Sequence, residues 1–224
     1  MAQEEMIVLA NSSKMGGRCV AGISVSDGSW IRPVSGREEG ELRPGECAVR
    51  GQAPRCLDIV RFTYSEHLSD PAQPENVLID GGDWGLVDRV EPADAYSHLY
   101  KHLEPGPELL GGIERGISND VAEAGLDASL CLIEPDTIEF RTASPFNPGQ
   151  ARKARTEFQL AAQSWDMGLT DSVVAPKLRQ APLGDHSLSE LGIPEPNHVL
   201  LTVSLTQPLG DTRWKLAAAV HLLP

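Results

Sequence analysis

At 224 residues the chain is long enough to bury the core of one large domain or of two small ones. Nineteen Lys and Arg against 32 Asp and Glu leave a net charge of −13. That balance argues against a long duplex-binding surface, because phosphate neutralisation supplies most non-specific affinity for nucleic acid. No apolar run of about 18 residues exists to span a bilayer. Glu4-Glu5 stands where a signal peptide has its basic start, so a cytoplasmic protein with no membrane partner is expected.

Short apolar segments bounded by Gly, Pro, Asp and Asn recur along the chain, mostly at period two, which predicts a mainly β protein. Candidate strands cover 6–10, 18–25, 29–34, 57–64 and 76–79, then 129–133, 137–142, 154–161, 199–206 and 213–221. Between the two groups Tyr96, Leu99, Tyr100 and Leu103 fall at helical spacing behind Pro92 and Asp94, and Pro105-Gly106-Pro107 stops that helix. Further short helices are expected over 107–115 and near 187–192. Gly210-Asp211 reads as the turn of a terminal hairpin. Five short strands is the size of an OB barrel, so the division predicted is a first barrel over 1–90, a helical connector over 91–125 and a second barrel over 126–224.

The acidity is uneven. Residues 1–37 carry a net +1, residues 38–150 a net −14 and residues 151–224 a net 0, so both ends can present a local positive patch. Cys19, Cys47, Cys56 and Cys131 have no metal or redox spacing and are expected as free, buried thiols. His98 and His102 stand four apart on the predicted helix but lack a third ligand, and neither a metal nor a cofactor is expected. The basic run Gln150–Arg155 reads either as the solvated start of a strand or as a backbone contact for nucleic acid.

The richest stretch is the first hairpin with its following strand. Ser12-Ser13-Lys14-Met15-Gly16-Gly17 is not a Walker loop, because the order is reversed and a strand follows instead of a helix. A strand-linking turn or a backbone anion site both fit it. In the third strand Trp30, Arg32 and Val34 share one face, which sets an indole beside a guanidinium. Such a pair can stack a base and hold a phosphate. It can equally be a surface cation laid along a core tryptophan, with its head in water. Trp165-Asp166 and Thr170-Asp171 fall in a segment read as turn-rich, where Asp and Thr side chains often cap backbone.

These residues carry a likeness. Leu9–Lys14 with Gly17–Gly22, then Trp30–Ser35, Leu169-Thr170-Asp171, Leu201–Leu205 and Trp214–Ala218 together resemble the dual OB-fold domain family of bacterial proteins. The resemblance implies two tandem OB-like barrels and a role in nucleic-acid or nucleotide recognition, within bacterial defence or conflict systems, without known catalytic residues. By motif match it marks Asn11, Ser12, Lys14, Arg18, Trp30, Arg32, Thr170, Asp171 and Lys215 as the ligand site. The expected ligand is a nucleotide or short single-stranded nucleic acid, with a protein partner as a further expectation. Two other readings stand beside it: an enzyme using Asp171 with Lys14 or Lys215, and an adaptor docking a basic partner on its acidic middle.

Overall fold

The computed structural model describes every residue except Met15 and the side chain of Lys14. The first half runs β1 (Ala2–Lys14), β2 (Gly17–Ser24), β3 (Trp30–Val34), β4 (Asp58–His67), β5 (Asn76–Ile79) and β6 (Gly85–Arg89). Helix α1 (Pro92–Leu99) follows and tightens into a 3-10 turn at Tyr100–His102. Then come β7 (Gly116–Ser118), α2 (Asn119–Glu123), β8 (Leu130–Ile133), β9 (Thr137–Ala143), β10 (Lys153–Leu160) and β11 (Gln163–Leu169). The chain finishes with α3 (Val174–Gln180), β12 (Gly184–His186), β13 (His198–Leu205) and β14 (Thr212–Leu223). No helix among the described residues is long and apolar enough to cross a membrane.

The first five strands close on themselves. Their order is β1-β2-β3-β5-β4, and β4 returns to pair with β1. The β3–β5 pair is parallel and the others are antiparallel. This is a closed five-stranded barrel with the Greek-key connectivity of an OB fold. Met6, Val8, Val20, Ile31, Phe62, Val77 and Trp84 fill it, all from the first half.

The second sheet repeats the order. Its strands β9-β10-β11-β14-β13 follow the same path, again with one parallel pair, β11–β14. No β9–β13 pairing closes it among the described residues; β12 lies on the β9 edge and β8 on the β13 edge. Helix α3, between β11 and β13 in sequence, packs against β9 and β10, where Val174, Ala175 and Leu178 join Phe140 and Phe158 in the second core and Thr142 donates to the Leu178 carbonyl. Two OB units in tandem, one closed and one open, are therefore built from one strand plan.

The halves are packed together rather than strung apart. Leu9, Ile23, Ala95 and Leu99 share a cluster with Leu132, Leu200 and Leu223. Ala10 and Ala21 meet Leu130 and Ala218, and Ala72 meets Ile117 and Leu205. Since Val20 and Ile31 point into the barrel, strand alternation turns Ala21, Ile23 and Trp30 outward on to the second half.

Several expected elements differ. Residues 107–115 form no helix: Leu110 and Gly111 both have positive φ, and Leu109 and Gly112 exchange backbone bonds in a tight turn. Residues 187–192 form successive turns. The segment holding Trp165 and Asp166 is a strand, β11, with Trp165 and Met167 alternating inward. Strands β6, β7 and β12, and helices α2 and α3, are additional to those expected. The hairpin turn at Gly210 is present, with φ +63°. All four cysteines are free, Cys47 and Cys131 buried and the other two half-buried.

Candidate functional site

The nine residues marked by sequence fall in several places. Arg18 shares the barrel-facing side of β2 with Val20, whereas Arg32 shares the outward side of β3 with Trp30. The two guanidiniums therefore stand on opposite faces and do not converge. Arg18 keeps company with Asn11: its Nη1 donates to Asn11 Oδ1 at 3.5 Å, and Asn11 Nδ2 donates to the Pro54 carbonyl. The Lys14 side chain lies outside the described residues; its backbone pairs with Gly17 across the β1–β2 turn.

Arg32 is only 4% exposed. Its Nη2 lies 2.9 Å from Glu75 Oε1 and donates to Ser129 Oγ at 2.9 Å and Ser204 Oγ at 3.4 Å. Glu75 in turn accepts from the Ser129 amide at 3.0 Å and hydroxyl at 2.6 Å. The cation's head is thus not in water, as the plainer sequence reading had it. A carboxylate from the first half and two hydroxyls from the second replace its hydration shell, which is the condition for burying charge.

The two partners of this pair line different concavities, Glu75 a cleft and Arg32 two smaller adjoining pockets. The cleft measures about 790 Å³, within the range of small-molecule sites. Trp30 is half-buried in its wall, with His67, Lys101 and His102 nearby and Glu104, Glu108 and Asp127 on its other sides. Burial, reinforced by Lys101, lowers the His102 pKa and favours its neutral imidazole. One of the smaller pockets, a seam pocket of about 130 Å³, gathers Ser12, Arg32 and Thr170 together with Gln73, Ser204 and Gln207. Thr170 also ties its own amide to the Ala217 carbonyl at 2.9 Å.

Asp171 and Lys215 belong elsewhere. Asp171 is buried, and its Oδ1 accepts from the amides of Val173 and Val174 where the chain enters α3. Its Oδ2 accepts from the Val220 amide at 3.2 Å. Val220 is five residues from Lys215 along β14, a span of about 17 Å at the rise of a strand. The Lys215 ammonium donates to the carbonyls of Gly112 at 2.6 Å and Glu114 at 2.7 Å and sits 4.9 Å from the Trp165 ring centroid. Burial pulls its pKa down to about 8, against the opposing pull of Cys131, Glu114 and Glu108. Asp171 and Lys215 are therefore not within the hydrogen-bond reach that a shared proton transfer requires.

The face of an OB barrel that receives oligonucleotides is the outer side of its second and third strands. In the first half that face carries Ala21, Ile23 and Trp30, and the second half covers it. In the second half it is the outward side of β10 and β11, where Arg155 pairs with Asp166, Arg141 with Glu157 and Asp185, and Arg115 with Asp166. No aromatic side chain projects from that side of either strand. Of the basic run, Arg155 is held in this layer and Arg152 donates to the Ala181 carbonyl.

Residues 4–220, nearly the whole chain, match the dual OB-containing domain family. The chain belongs to that family. No curated protein and no solved structure matches it. For this dual OB chain, motif matching pointed at Arg32, Ser12 and Trp30 but gave no sign of Gln73, Glu75, Ser129 or Ser204. The last four come from 41 to 172 positions beyond Arg32 in sequence, and only the strand order brings them to it.

Proposed function

We propose that this dual OB protein is a non-catalytic module that recognises a nucleotide or a short single-stranded nucleic-acid element at the junction of its halves. The observation that carries the reading is the outer face of β3. Two residues of one strand face, roughly 7 Å apart, set the Trp30 indole on the cleft and the Arg32 guanidinium on the seam pocket. A base stacked on Trp30 and a phosphate near Arg32 match the two chemistries that OB folds combine in binding nucleic acid. A place in a bacterial defence system belongs to the proposal by family analogy alone.

The test is titration of the protein with adenosine monophosphate and with a short oligothymidylate, followed by tryptophan fluorescence at two salt concentrations. Trp30→Ala is expected to weaken binding roughly ten-fold, the value of one stacked base. Unchanged affinity in that variant, or no binding of either probe, overturns the reading.

One observation favours a second reading. Glu104, Glu108 and Asp127 line the cleft without an ion pair among the described residues, and carboxylates beside an indole suit a basic side chain of a protein partner. Saturation by a lysine-rich peptide, competing with neither nucleotide nor oligonucleotide, decides for this adaptor role.

A further inference from the structure

The seam pocket has a chemistry opposite to the rest of the molecule. No carboxylate lines it, although the chain carries a net charge of −13. Three of its side chains are more than nine-tenths buried: Ser12 at 8%, Arg32 at 4% and Gln73 at 3% exposure. Each keeps a donor with no partner among the described residues. In Arg32 all side-chain bonds fall on Nη2 and Nε is sealed from solvent, which leaves Nη1 without a partner among the described residues; Arg32 lines this pocket and an adjoining one that holds Glu38, Glu39 and Asp70. In Gln73 the Oε1 atom accepts from Asn76 Nδ2 at 3.1 Å and Gln207 Nε2 at 3.2 Å. Those two donors fix which way the amide points and leave Nε2 unused. Ser12 Oγ makes no hydrogen bond among the described residues.

These donors face the pocket from side chains that are otherwise buried, so three of them around one small cavity mark a place that favours acceptors. A guanidinium with neutral donors beside it complements an oxyanion. The volume of about 130 Å³ equals that of roughly four waters at ~30 Å³ each, enough for the oxygens of a single tetrahedral group. We infer that the seam pocket is a subsite for one phosphate group, held by Ser12, Arg32 and Gln73. The phosphate is that of the nucleotide ligand, and in this the inference rests on the reading above. Because Thr170, Ser204 and Leu216 form the opposite wall, a phosphate seated there touches both halves at once.

The experiment is calorimetric titration of the full chain with inorganic phosphate, adenosine and adenosine monophosphate, in wild type, Gln73→Glu and Ser12→Asp. Gln73→Glu keeps the acceptor that Asn76 and Gln207 use and sets a carboxylate in the pocket. Ser12→Asp does the same from β1, so a folding defect in one variant leaves the other. The expected result is phosphate binding that adenosine monophosphate displaces, and a loss of at least ten-fold for both in either folded variant. Adenosine monophosphate binding that depends on Trp30 but is unchanged in both variants overturns the phosphate subsite and leaves the nucleotide reading standing. Phosphate binding lost in the variants, with adenosine monophosphate no tighter than phosphate itself, supports the subsite and overturns the nucleotide reading.

Discussion

His221 is buried among apolar residues of β14, where its Nε2 lies 2.9 Å from Thr202 Oγ1. Thr202 donates its own hydroxyl proton to the Leu9 carbonyl at 2.7 Å, so it is the imidazole Nε2 that donates to Thr202. Burial lowers its pKa from 6.5 to about 4, partly opposed by the Leu9 carbonyl. Between those values the unfolded chain binds a proton that the native chain does not. The contribution to stability is therefore fully present above pH 6.5 and is lost as pH falls through 6.5 towards 4. Urea midpoints measured across that interval should fall with pH, and His221→Gln should flatten that part of the profile. A slope unchanged in the variant would assign the acid sensitivity to other groups. Nothing in the sequence near His221 foretells this, because Thr202 is 19 positions away and Leu9 lies at the other end of the chain.

At the level of elements, the β1–β2 pair explains both a glycine and a contact between halves. β1 shifts register between Val8 and Ala10, and the bulge leaves the Leu9 carbonyl free for Thr202. Opposite Val8 stands Gly22, where an added Cβ would come within 1.9 Å of the Ile7 carbonyl oxygen and 2.7 Å of Met6 Cγ. Backbone cannot yield as a side chain does, so Gly22→Ala should cost about 3 kcal/mol, measurable as a lowered denaturant midpoint. Gly45→Ala, where nothing lies within 4 Å, is the matched control. The strands themselves were legible from period-two alternation, above all β13 and β14, which are buried on both faces along most of their length, one face on the second core and the other on the first half. The short β7 and β12 were not, since three residues pairing at an edge carry no periodicity. Over 107–115 the composition reads as a helix start behind Pro107, but left-handed Leu110 and Gly111 turn the chain back on itself.

At the scale of the whole molecule, the two OB units share apolar clusters, and the buried Arg32–Glu75 pair of the first is hydrogen-bonded to Ser129 and Ser204 of the second, so they are expected to unfold as one cooperative body. Thermal unfolding should show one transition, with coincident probes from Trp84 in the first core and Trp165 in the second. Glu75→Gln removes the charge that neutralises Arg32 and should cost about 3–5 kcal/mol. Two separate transitions in wild type would contradict the shared core. The duplicated strand plan was visible in the sequence as two groups of five strands, and the alternation in β3 placed Trp30 and Arg32 on one face. Which surface that face meets was not visible, because it depends on partners such as Ser129 and Ser204 from the second half.

The covering of the first barrel's outer face by the second unit has a consequence for counting. Two OB modules on a loose tether would each display a receptive surface and would gain avidity by gripping one strand at two points. Here one module has given up that surface to its neighbour, through Ala21, Ile23 and Trp30. The two copies of the strand plan are thus unequal, and on the proposed reading titration should return one ligand per chain, held where the first unit's outer strand face meets the second.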